Sequence, residues 1–168
     1  NIGRYVDQKD QITLLKSLNY LKNKINFFAI IMGRGVLKSQ LNDYIHKNKI
    51  QNKVKLINFA NNPFPYIKQS DLFILTSKYE GLPNVVLESI ALKKFVISSN
   101  CPTGPREILL DGKGGYLFPM EDHKKLAKKI ISFTKNQNEC QRMLRNAYNQ
   151  LSRFDQKKNL KKYLDLVI

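Results

Sequence analysis

Apolar positions along the chain fall into two alternating kinds of run. One kind is short and continuous: 27–32 (FFAIIM), 54–57 (VKLI, with one lysine), 72–76 (LFILT), 95–98 (FVIS) and 116–118 (YLF). Such runs, bounded by polar or turn residues, predict buried strands. The other kind recurs at three and four. Leu14, Leu15, Leu18 and Leu21 do so within 10–21, and Leu37, Leu41 and Ile45 in the next segment. That spacing predicts helices with one apolar face, the first capped by Asp10. Residues 63–69 predict a short helix with Pro63 near its first turn. The run after Pro83 predicts a helix that carries Glu88. Residues 124–133, 138–151 and the tail from Gln156 predict three more, and 112–115 is a turn cluster. Strands and helices alternate, so the expected class is α/β: a Rossmann-like parallel sheet with helices on both faces.

A length of 168 residues fits a single domain with a real core. No apolar run approaches the ~20 residues of a membrane span, and no signal peptide is apparent. Cys101 and Cys140 lack metal or redox spacing, which suits two reduced thiols in a cytoplasmic protein.

The charge changes the picture more. There are 29 Lys+Arg against 13 Asp+Glu, a formal net charge of +16. This predicts attraction to something anionic. Two similar segments carry much of it, 122–130 (DHKKLAKKI) and 155–164 (DQKKNLKKYL). Each has an Asp placed as N-cap and lysines grouped on one helix face, Lys124–Lys129 and Lys157–Lys162. Such a face is either solvated or seated on anionic lipid, peripheral to a membrane. Nucleic acid is disfavoured, because the basic stretches lack interleaved aromatics.

The candidate chemistry centres on 79–89 (YEGLPNVVLES). Glu80 falls in a strand-to-helix loop and Glu88 one to two turns into the helix. Between them the free N–H groups of the helix start suit an anion. Carboxylate, anion site and carboxylate in a row fit a nucleotide-sugar, with hydroxyls at each end and diphosphate in the middle. In an open α/β sheet ligands bind beyond the carboxyl ends of the strands. That would bring together the loops 3–9, 33–35, 58–61, 77–84 and 100–104.

The E-x7-E spacing, so filled, resembles the retaining glycosyltransferases of family 4, which have the GT-B fold. The likeness extends to Gly3-Arg4 with Lys9, to 30–35 (IIMGRG), to 64–77 (FPYIKQSDLFILTS) and to 98–118 (SSNCPTGPREILLDGKGGYLF), covering roughly residues 2–120. It implies that 1–168 is one nucleotide-sugar-binding domain, the C-terminal half of a GT-B enzyme whose acceptor-binding half lies outside this sequence. It implies transfer from a UDP-hexose or UDP-N-acetylhexosamine to a glycan or lipid-linked acceptor.

The resemblance also gives Glu88 the ribose hydroxyls, a role that a carboxylate accepting from two vicinal hydroxyls can fill. Glu80 would meet the donor sugar or stabilise charge developing at its anomeric carbon. Gly81, Leu82, Pro83, Asn84 and Val85 would bring backbone close to sugar and diphosphate, with N–H donors at Leu82, Asn84 and Val85 because Pro83 has none. Arg4 and Lys9, beside Gly3, would hold the diphosphate leaving group. No Asp-x-Asp occurs, so the expected chemistry is free of metal and cofactor. Gly33 and Gly35 would line the crevice. Phe59 would meet the base through backbone groups or else belong to the core. Thr103 and Gly104 would approach the donor, and Arg106 and Glu107 would cap a short helix.

Two other classes compete. One is a non-catalytic sugar-nucleotide sensor or scaffold. The other is a nicotinamide-dependent oxidoreductase. It is disfavoured because Lys38 stands where a third glycine belongs, and Lys53 and Lys55 where an acid would be expected.

Overall fold

The computed structural model describes the backbone of residues 1–167, and the side chains of all of these except residues 162, 163, 166 and 167. Five strands run parallel in two hydrogen-bonded groups. β1 (Ala29–Met32) pairs with β2 (Val54–Ile57), Ala29 opposite Val54. β3 (Leu72–Leu75), β4 (Phe95–Ser99) and β5 (Tyr116–Phe118) form the second group, with β4 in the centre. The pairings set Leu72 opposite Phe95 and Ile97 opposite Tyr116. Parallel neighbours need crossovers, and the helices supply them: α1 (Gln11–Leu21), α2 (Lys38–Lys47), α3 (Phe64–Gln69), α4 (Asn84–Ala91), α5 (Pro105–Ile108), α6 (His123–Lys135), α7 (Gln137–Asn149) and α8 (Gln156–Val167).

Alternation along the strands separates two apolar clusters, one per face. Ile74 and Ile97 join Leu14, Leu15, Leu18, Leu21 and Leu126 from α1 and α6. Phe73, Leu75 and Val96 face the other way, onto Val86, Ile90 and Ile108. Strands buried on both faces are the reason these segments read as unbroken apolar runs.

The three aspartate caps form as the sequence predicts. Asp10 accepts from the Thr13 N–H at 3.3 Å, Asp122 from Lys125 at 2.8 Å and Asp155 from Lys158 at 2.9 Å. Some boundaries differ. β1 begins at Ala29, because its ladder starts where the Ala29 N–H reaches the Lys53 carbonyl, at 2.8 Å. Phe28 is 62% exposed as a result. α7 ends at Asn149, and Leu151–Phe154 forms a separate 3-10 turn. The larger difference is that the sheet is not continuous. Between β1 and β3 run residues 1–3, tied to β1 by one parallel bridge, Ile2 to Met32.

The two lysine runs also part company. Lys124, Lys125 and Lys128 are exposed on α6, but the Lys129 Nζ sits 4.7 Å from the centroid of the Tyr116 ring. Lys157, Lys158 and Lys161 are exposed on α8, and the side chain of Lys162 lies outside the described residues. No helix among the described residues is long and apolar enough to cross a membrane.

Candidate active site

The loops at the carboxyl ends of the strands meet around the segment 3–9. Tyr5 anchors it: its side chain is fully buried, with the hydroxyl 2.8 Å from the Ile31 carbonyl oxygen and 2.7 Å from that of Ile57. Burial pushes its pKa up to about 12, so it stays a neutral phenol. The Tyr5 N–H donates to the Arg34 carbonyl at 2.8 Å, and the Leu37 N–H to the Tyr5 carbonyl at 3.0 Å. This explains the two glycines after β1. A Cβ on Gly33 would lie 2.0 Å from the Gly3 carbonyl oxygen, and one on Gly35 2.4 Å from that of Tyr5. Their first duty is to let two loops touch.

The same segment is joined to the loop after β3. The Thr76 hydroxyl donates to the Lys9 carbonyl at 2.8 Å, the Lys78 N–H to the Gln8 carbonyl at 2.8 Å, and Gln8 Nε2 to the Tyr79 carbonyl at 3.0 Å. These bonds carry the Lys9 ammonium to the Glu80 carboxylate, with Nζ 2.5 Å from Oε1. The Ser77 hydroxyl donates to the same oxygen, also at 2.5 Å. The Glu80 side chain is 8% exposed and that of Lys9 18%.

From the other side the Thr103 hydroxyl donates to the Glu80 carbonyl. Gly104, at φ 83°, packs so closely that a Cβ there would meet the Gly81 carbonyl oxygen at 2.2 Å. Thr103 and Gly104 therefore brace the Glu80–Pro83 turn. Cys101 is buried nearby, and burial pushes its thiol up, which marks a packed neutral group rather than a nucleophile.

Past this turn, Pro83 is extended and α4 begins at Asn84. The N–H groups of Asn84 and Val85 lie in the first turn, where no intrahelical acceptor exists. Gly81 and Leu82 are exposed, Leu82 at 49%. Glu88 is four residues after Asn84, hence on the same helix face, and half-buried. Arg4 is exposed, its Nη2 3.5 Å from Gln8 Oε1. Among the described residues neither Arg4 nor Glu88 has an ion-pair partner within 4.0 Å. One carboxylate is thus held by a lysine and a hydroxyl, while a second carboxylate and a guanidinium remain uncommitted.

Phe59 is not a core residue. It is 53% exposed, and the Arg34 guanidinium lies 5.5 Å from its ring centroid. Arg106 and Glu107 pair away from this region, with Asp111 and Arg153. Among the described residues no group of three His, Cys, Asp or Glu could hold a metal ion. Sequence reasoning placed Gln8 and Ser77 in candidate loops but gave neither a role of its own. The S-x-x-E spacing of Ser77 and Glu80 was the available signal, since that separation lets a hydroxyl and a carboxylate meet in one turn. Gln8 gave none, because its partner Tyr79 is distant in sequence.

Comparison with known proteins shows the family and the fold. The profile of the family "Glycosyl transferases group 1" matches residues 1–150. An uncharacterized glycosyltransferase of Methanocaldococcus jannaschii is 46% identical over 110 residues, 65% of this chain and 27% of that protein. The Campylobacter jejuni N-acetylgalactosamine-N,N'-diacetylbacillosaminyl-diphospho-undecaprenol 4-alpha-N-acetylgalactosaminyltransferase is 30% identical over 126 residues, 75% of this chain and 34% of that protein. The chain thus spans about a third or less of these relatives' lengths. The fold is similar to that of Staphylococcus aureus TarM, solved as a variant with fondaparinux, alpha-GlcNAc-glycerol and UDP. The TM-score is 0.89 at 24% identity, over 99% of this chain and 34% of that one. It is also similar to Anabaena HepE in complex with UDP, with a TM-score of 0.88 at 21% identity over 99% of this chain and 47% of that one. These folds are GT-B. The chain belongs to the group 1 glycosyl transferases.

Proposed function

We propose that this domain binds the nucleotide-sugar donor of a retaining, family 4 glycosyltransferase. The observation that carries the reading is the Lys9–Glu80 pair before the free end of α4, with Arg4 and Glu88 outside any ion pair among the described residues. A donor laid across 80–88 puts its ribose at Glu88, its diphosphate at the Asn84 and Val85 N–H groups, and its sugar at Glu80. Breaking the sugar–phosphate bond leaves charge on the diphosphate. Arg4 can meet it bidentately and Lys9 as a point charge. Gly3, Gly33, Gly81, Leu82 and Pro83 would shape the backbone around the donor, and Phe59, exposed in the structure, would meet the base. The diphosphate then needs no metal.

The base is proposed to be uracil, and the sugar a hexose or N-acetylhexosamine. Solved proteins of this fold that were crystallised with UDP support the base. The acceptor, a glycan or a lipid-linked saccharide, would be held by the other half of a two-domain enzyme. The Campylobacter relative's diphospho-undecaprenol acceptor supports the lipid-linked choice. Work on such an acceptor suits a basic protein peripheral to the inner face of a cytoplasmic membrane.

Calorimetry with UDP tests the reading. The expected affinity is the same with and without EDTA. It should fall roughly 10- to 150-fold, about 1.5–3 kcal/mol, in a folded Arg4→Ala/Lys9→Ala variant. Loss of binding in EDTA, or unchanged affinity in the variant, overturns it.

A further inference from the structure

We propose that Gln8 is a positioning residue for the donor site: its side-chain amide orients the Arg4 guanidinium and ties it to the loop that carries Glu80. The inference deepens the donor reading and rests on it.

Three consecutive residues of the 3-10 turn Asp7–Lys9 reach three consecutive residues of the loop after β3. Asp7 pairs with Lys78, its Oδ1 2.8 Å from Nζ. Gln8 Nε2 donates to the Tyr79 carbonyl at 3.0 Å. The Lys9 ammonium meets the Glu80 carboxylate. The middle contact differs from its neighbours, because the other end of the Gln8 amide, Oε1, lies 3.5 Å from Arg4 Nη2. Gln8 therefore joins the residue expected at the diphosphate to the loop of the residue expected at the sugar.

Arg4 needs such a partner. Its backbone is already fixed: the carbonyl accepts from the Val6 N–H at 3.0 Å and from Nε2 of the buried Gln11 at 2.8 Å. Its side chain is exposed, and Gln8 is the hydrogen-bond partner of the guanidinium among the described residues. Ordering a free arginine on a ligand costs rotamer entropy, which counts against affinity. A partner that holds the guanidinium near the site lowers that cost before the donor arrives.

The chemistry of the bridge calls for glutamine. An amide has an acceptor for Arg4 and a donor for Tyr79. The reverse orientation would set donor against donor and acceptor against acceptor, so the two partners fix it. At 3.5 Å the Arg4 contact is at the outer limit of a hydrogen bond and can yield to a diphosphate. A glutamate there would form a charge-assisted pair with Arg4 and compete for it. It would also have no proton to give to Tyr79.

Calorimetry with UDP on residues 1–168 tests this through a double-mutant cycle. Gln8→Met, close in shape, should leave the chain folded, since Gln8 is only half-buried. It should weaken UDP binding roughly 3- to 10-fold. In an Arg4→Ala background the same substitution should make no further difference. Gln8→Glu should weaken UDP binding more than Gln8→Met does. If Gln8→Met does not fold, Gln8→Asn, one methylene too short to reach both partners, runs the same cycle. Unchanged affinity in Gln8→Met or in Gln8→Glu overturns the proposal. So does an equal loss with and without Arg4, which would leave Gln8 a structural residue of its loop. Failure of the donor reading looks different: Arg4→Ala alone then leaves UDP affinity unchanged, and the role of Gln8 falls with it.

Discussion

The Lys9 ammonium lies 2.5 Å from the Glu80 carboxylate although 71 positions separate them in the chain. The residue expected at the diphosphate and the residue expected at the sugar are thus partners before any donor arrives. If Lys9 also meets the proposed diphosphate it serves two competing anions, and Glu80 is held in place by Lys9 and Ser77 together. Removing the lysine strands a nearly buried carboxylate. Lys9→Ala should therefore destabilise the fold by up to about 3 kcal/mol, the low end for a broken buried pair because Lys9 keeps some solvent contact. Glu80→Gln should cost less. Urea unfolding of the two variants measures this, and equal stabilities would show that the pair is incidental.

The two glutamates should separate in binding. Glu88→Ala should weaken UDP and UDP-sugar alike, by roughly 1–3 kcal/mol. Glu80→Ala releases Lys9 toward the diphosphate, so UDP should bind as well as before or better, while the intact UDP-sugar binds more weakly. In the two-domain enzyme kcat should also fall if Glu80 acts more on the transition state than on the ground state. Equal loss of UDP affinity in both variants would mean that the donor does not lie across the segment in this order.

Two glycines at positive φ should behave differently. Gly104 (φ 83°) and Gly112 (φ 89°) share that feature, but a Cβ on Gly112 meets nothing within 4 Å. Gly112→Ala should show only conformational strain, about 1 kcal/mol. Gly104→Ala adds a clash with the Gly81 carbonyl and with Pro83, so it should destabilise more and also weaken UDP-sugar binding by displacing the turn that carries Glu80. Identical donor titrations for the two variants would remove Gly104 from the bracing role.

A basic surface joins two helices. The Lys24 Nζ, just beyond α1, sits 3.4 Å from the centroid of the exposed Tyr20 ring. Hydrogen bonding to Lys24, then the charge of Lys24 and less strongly of Lys128 and Lys124 on α6, draw the Tyr20 hydroxyl below its ordinary pKa. If this face meets anionic lipid, each lysine is worth up to about 1 kcal/mol. Sedimentation with anionic vesicles should then weaken with salt and with Lys24→Gln/Lys124→Gln/Lys128→Gln. Equal sedimentation with neutral vesicles would leave these residues as a solvated face.

What the sequence determined by itself is whatever short-range forces control. The unbroken apolar runs became strands buried on both faces, and leucines at three- and four-residue spacing became the inner face of α1. Asp10, Asp122 and Asp155 became caps because each partner N–H is only three residues away. Glu80 before α4 and Glu88 within it followed from the strand run at 72–76, the Gly-Leu-Pro turn and the apolar run after it. The tertiary structure decided which loops touch. Register and crossover bring Lys9 to Glu80, Gly33 to Gly3, and Gly104 to Gly81, and they turn Phe59 outward beneath Arg34. None of these pairs has a local signature, because a glycine needed for contact with distant backbone looks in sequence like a glycine needed for a turn. The same holds for the gap between β1 and β3. The periodicity of each strand is set by its own residues, but which strand lies beside it is set by the packing of the whole.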